Sequence, residues 1–89
     1  MSIENFPFSR SLPEEFQFLC MLHNVGATMP ERSMTIEEIA RWTGFDMEKI
    51  KAHLQRLMEM GYVQALKVEN ADKYHVTFNG IRKVLTLYS

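Results

Sequence analysis

The chain has a single cysteine, Cys20, so no disulfide can form within it and packing has to supply its stability. A lone thiol inside the apolar run "FQFLCML" suits a buried side chain in a reducing compartment better than a reactive one. His23, His53 and His75 are scattered, and no Cys or His pair has the spacing of a metal site. Neither a metal nor another cofactor is expected. Long apolar runs are also missing: none approaches the roughly 18–20 residues that span a bilayer. The opening "MSIENFPFSR" has no basic segment ahead of a long apolar core, so a cytoplasmic protein without membrane contact is expected. There is no Gly-rich phosphate loop, nucleophile elbow or metal-binding helix pattern, and an enzyme is not expected. A surplus of one charge is lacking as well, because the formal net charge is −1.

What is present reads as an ordinary small globular chain, 46% hydrophobic and 24% charged. The charge is unevenly placed. Residues 1–46 carry 3 basic and 7 acidic side chains, net −4, and residues 47–89 carry 7 basic and 4 acidic, net +3. Such asymmetry is one way to build a basic face on a nearly neutral protein. Residues 1–10 read as an extended arm, since Pro7 disfavours helix at Phe6. "SLPE" at 11–14 reads as a helix start capped by Ser11, and the helix over 12–24 is apolar nearly all round, as if buried on more than one side. "NVGATMPERSM" is a loop. "TIEE" at 35–38 opens a second helix with Thr35 as cap, Gly44 permits a tight turn, and Asp46 caps a third. In that third helix Ile50, Leu54 and Leu57 form one stripe, and Gly61 ends it.

"YVQALKV" and "KYHVTF" then read as two strands joined by "ENAD", and Thr77 or Asn79 caps a last helix. Two short helices around a Gly-containing turn, followed by a hairpin, resemble the winged helix-turn-helix family, and in spacing the MarR and ArsR types of regulator. The residues that carry the resemblance are "MTIEEIARWTGFDMEKIKAHLQRLMEMGYVQ" at 34–64 and "KYHVTFNGIRKVL" at 73–85. The resemblance implies an α+β, mostly helical fold: three helices, a two-stranded wing and a C-terminal helix. As one domain over 1–89, it divides into an arm at 1–10, the helix-turn-helix at 35–60, the wing at 62–78 and the last helix at 79–89.

It also implies a third helix that lies in the major groove of double-stranded DNA, with the wing on the backbone. The residues then assigned to DNA are Thr35, Thr43, Met47, Lys51, Ala52, Gln55, Arg56, Lys67 and Lys73. Gln55 can pair with adenine, Lys51 or Arg56 with guanine or a phosphate, and the Ala52 methyl can touch thymine. Thr35 and Thr43 are placed near helix starts, where phosphates bind. Lys67 and Lys73 flank the wing. Glu48 and Glu59 share the outer face, and they leave open a module that docks on a protein and touches no DNA. Trp42 is expected in helix packing, and His53 and His75 are expected to meet near the wing. The expected assembly is a homodimer through Phe6, Phe8, Phe18, Met21, Val84 and Leu87, acting as a small transcriptional regulator.

Overall fold

The computed structural model describes residues 12–88. The order of elements is α1 (Glu14–Asn24), a 3-10 turn (Pro30–Arg32), α2 (Ile36–Thr43), α3 (Met47–Glu59), β1 (Val63–Val68), β2 (Ala71–Val76) and α4 (Phe78–Leu87). The mostly helical α+β expectation holds. The expected cap Ser11, with Phe6 and Phe8 of the arm, lies outside the described residues.

The first helix begins at Glu14, later than the sequence led us to expect, with Pro13 at the N-cap and no side-chain cap. Proline explains the delay, because its ring drives the preceding residue out of helical geometry. Phe18, Leu19, Cys20 and Leu22 of α1 are all buried. The helix packs against α2, α3, α4 and β2. Much of its apolar character is accounted for by this central position within one chain. Burial also pushes the Cys20 thiol up to about 11, which makes it an inert core side chain.

The remaining elements close around α1. Ile39 of α2, Ile50, Leu54 and Leu57 of α3, Val63, Tyr74 and Val76 of the hairpin, and Val84 of α4 complete the core. Thr35 caps α2 with a full capping box: its Oγ1 accepts from the Glu38 N–H at 3.1 Å, and its own N–H donates to Glu38 Oε1 at 2.9 Å. Asp46 Oδ1 caps α3 by accepting from the Lys49 N–H at 2.9 Å. At the far end of α3 the Gly61 N–H reaches the Met58 carbonyl and the Tyr62 N–H reaches the Leu57 carbonyl. This closure needs a left-handed residue, which Gly61 supplies at φ +81°.

β1 and β2 pair antiparallel from Val63↔Val76 to Val68↔Ala71. The tip is tighter than "ENAD" implied. Glu69 (φ +51°) and Asn70 (φ +70°) alone make the turn, while Ala71 and Asp72 belong to β2. The free edge of β2 is paired locally by Met34, which exchanges backbone hydrogen bonds of 2.9 and 2.8 Å with Tyr74. Thr77, rather than Asn79, caps α4, accepting from the Gly80 N–H at 3.0 Å. Gly80 sits hard against the Tyr62 backbone carbonyl and the Val76 side chain, so it ties α4 to the base of the wing.

Two further expectations are corrected. Phe18 and Val84, assigned to a dimer interface, are fully buried in the core of one chain. The apolar surface of α4 is instead Phe78, 73% exposed, and Leu85, 58% exposed. Trp42 is 68% exposed and does not pack between helices.

Candidate nucleic-acid interface

The third helix advances by about 100° per residue, so its burial fixes which side chains face outward. Ile50, His53, Leu54 and Leu57 are buried. The row opposite them is Glu48, Ala52, Gln55 and Glu59, all exposed. Lys51 and Met47 flank this row on one side and Arg56 on the other, so Lys51 and Arg56 stand roughly 140° apart around the axis. The two cations of α3 assigned to DNA from the sequence therefore bracket a central row that carries two carboxylates.

The Met47 and Lys51 flank looks toward the hairpin. A hollow of about 290 Å³ lies there, lined by Thr35, Ile36 and Glu37 from the start of α2, Met47 and Lys51 from α3, and Ala71, Asp72 and Tyr74 from the hairpin. Three residues assigned to DNA from the sequence, Thr35, Met47 and Lys51, thus share one site. Glu37, Asp72 and Tyr74 were missed. The period-two alternation of β2 could have found the last two, because strand pairing sets Asp72 opposite Lys67 and Tyr74 two residues along the same face. Burial raises the Tyr74 phenol above its ordinary range, the nearby Asp72 raises it further, and Lys67 opposes both. It remains a neutral hydroxyl.

The other assigned residues are dispersed. Lys67 and Lys73 project from opposite faces of the hairpin: Lys67 pairs in register with Asp72, and Lys73 with Leu66 on the alternate face. Thr43 ends α2. Its hydroxyl donates to the Ile39 carbonyl at 2.8 Å and accepts from the Phe45 N–H at 3.3 Å, so it braces the turn.

Much of the positive charge is already engaged. Lys67 lies 3.1 Å from Asp72, Lys51 4.0 Å from Glu48, and Lys49 3.4 Å from Glu14. Gln55 donates from Nε2 to Glu59 at 3.1 Å. Arg82 and Lys83 on α4, which no sequence pattern singled out, have no carboxylate partner among the described residues. They lie over the rings of Phe78 and Phe16, at 5.9 and 4.9 Å from the centroids.

The two histidines take separate surroundings. His53 packs against the rings of Phe18 and Phe45, at 5.4 and 5.9 Å, with Nε2 3.4 Å from Glu14. His75 is buried in β2, and Glu31 of the 3-10 turn is the charge that acts on it. Among the described residues no group of three or more His, Cys, Asp or Glu side chains could hold a metal ion, and no helix is long and apolar enough to cross a membrane.

No protein-family model and no curated protein matches the chain. Solved structures do. The DNA-binding TubR fragment of Clostridium botulinum matches with a TM-score of 0.73 at 22% identity, over 86% of this chain and 98% of that one. BpsR of Bordetella bronchiseptica, whose DNA binding is regulated by 6-hydroxynicotinic acid, matches with 0.72 at 17% identity, over 94% of this chain and 58% of BpsR. A mutant of MarR from E. coli complexed with operator DNA matches with 0.71 at 18% identity, over 96% of this chain and 59% of MarR. The chain thus spans less than two thirds of the length of BpsR and MarR. The likeness identifies the fold as a MarR-like winged helix: among the described residues, four α-helices and a two-stranded antiparallel sheet.

Proposed function

We propose that the protein binds double-stranded DNA in a sequence-specific way, as a small dimeric transcriptional regulator. The observation that carries this reading is the outward row of α3. Ala52 and Gln55 stand exposed at its centre, Lys51 and Arg56 flank it, and a capped, core-anchored helix presents them beside a hairpin. In this reading α3 enters the major groove. Gln55 and Ala52 meet base edges, and Lys51 and Arg56 meet guanine or phosphate on the two sides of the groove. Thr35 and Met47 line the approach to the wing, where Lys67 reaches the backbone once released from Asp72. Lys73, on the other face of the hairpin, contributes at most to the general field. Thr43 contributes by holding the turn. The operator complex of MarR and the DNA-binding TubR fragment support the assignment by likeness of fold.

Pairing of two chains supports useful affinity, because one weakly charged subunit offers few phosphate contacts and a dimer doubles them. Phe6, Phe8, Met21 and Leu87 remain the residues proposed for that contact. Binding to a pool of random duplexes, followed by a salt titration, tests the function. Enriched palindromic sites with affinity that falls as salt rises are expected. Absence of binding to any duplex at low salt would refute it.

A second reading, docking on a protein partner without DNA, draws on the two carboxylates of the central row and on exposed Trp42. The same titration decides between them.

A further inference from the structure

We infer that Glu59 is a positioning residue for base readout, orienting the Gln55 amide so that the helix prefers adenine. The inference rests on the DNA-binding function proposed above. Gln55 and Glu59 are one turn apart on the outermost row of α3, and both are exposed. Gln55 Nε2 donates to Glu59 Oε2 at 3.1 Å. A carboxylate can only accept, so the amide nitrogen has to turn toward Glu59 and the carbonyl oxygen away from it. The reverse orientation would set two oxygens face to face. A free glutamine amide, by contrast, rotates broadly about its last torsion.

Once one N–H is engaged, Gln55 has one N–H and Oε1 left for a base. In the major groove adenine offers one acceptor, N7, beside one donor, the N6 amino group, and satisfies both from a single base. Guanine offers two acceptors, N7 and O6, and repels the carbonyl. Glu59 therefore narrows what Gln55 can read. It does so at a cost in general affinity, because its own charge repels phosphates. These two effects have opposite signs, which lets an experiment separate them from a merely structural role.

The test compares wild type with Gln55→Ala, Glu59→Ala and Glu59→Gln on duplexes selected by the wild-type chain. Non-specific affinity and base preference are both read, and circular dichroism confirms folding. The relevant base is the one whose preference Gln55→Ala abolishes. Wild type is expected to favour adenine over guanine there by about tenfold or more, as for a bidentate contact. Glu59→Ala should cut that ratio severalfold, toward the Gln55→Ala level, while raising affinity for unrelated duplexes. Glu59→Gln removes the charge but keeps an acceptor, so it should raise non-specific affinity and retain most of the preference. Selection of a base other than adenine at that position, or an adenine preference undiminished in Glu59→Ala, overturns this inference alone. A wild-type chain that binds no duplex overturns the DNA-binding function itself, and this inference with it.

Discussion

At the scale of single residues, Gln55 and Arg56 are the sharpest probes of the proposed interface. Both are exposed, and neither contributes to the core. Replacing both with Ala should weaken operator binding by about 1–3 kcal/mol for each base pairing removed, while the thermal midpoint stays near wild type. Unchanged affinity in a gel-shift or anisotropy assay would remove α3 as the reader. His75 carries a different prediction. Burial lowers its proton affinity below the ordinary value of 6.5, and Glu31 offsets this only in part. Below 6.5 the unfolded chain therefore binds more protons at this site than the folded one. Stability is fully present above that pH and falls as the pH drops toward the lowered folded value. Thermal melts at about pH 8 and about pH 5.5 should show this loss, and His75→Gln should reduce it. An equal acid sensitivity in that variant would assign the effect to other groups.

At the scale of elements, the junctions matter more than the helices and strands they join. Gly80 leaves no room for a Cβ against the Tyr62 carbonyl and the Val76 side chain. Gly80→Ala should therefore push α4 away from the wing and destabilise the chain by about 1–3 kcal/mol despite alanine's better helix propensity, as urea melts would register. The hairpin tip offers the opposite case. Glu69 and Asn70 both hold positive φ, as a type I′ turn requires, and glutamate is poorly suited to the first position. Glu69→Asn should stabilise the hairpin by up to about 1 kcal/mol, raising the thermal midpoint. Much at this scale was legible in the sequence. The capping box at Thr35, the Asp46 cap, the Gly61 stop and the Ile50–Leu54–Leu57 stripe are local signals, and each appears where it was expected. The start of α1 and the length of the hairpin turn were misread, because Pro13 and a left-handed glutamate act against the simplest local pattern.

At the scale of the molecule, the corrected role of Phe18 changes what a mutation there reports. It fills the centre of one chain, against Phe45 and His53 at ring-centroid distances of 5.6 and 5.4 Å. Phe18→Ala should cost about 3–5 kcal/mol of folding stability, seen as a large drop in the urea midpoint. If it instead left stability unchanged and only dissociated a dimer in sedimentation, the core assignment would be wrong. The whole-molecule charge also takes on a different meaning. The net +3 of residues 47–89 does not form one basic face. Lys51 and Lys67 each face a carboxylate, and Arg82 and Lys83 lie on a separate helix.

The sequence by itself determined the elements, their caps and their order, because those depend on interactions within a few residues of the chain. It also determined which residue types α3 could present, since helical periodicity alone separates Gln55 from Leu54. Only the tertiary structure decided which apolar faces were internal. Phe18 and Trp42 are both large aromatic side chains, yet one is buried in the core and the other faces out. It likewise decided which groups assemble beside the third helix, because Thr35, Lys51 and Tyr74 share a hollow only after the hairpin folds back onto the helices. These three residues are far apart in the chain, and no local pattern encodes their meeting.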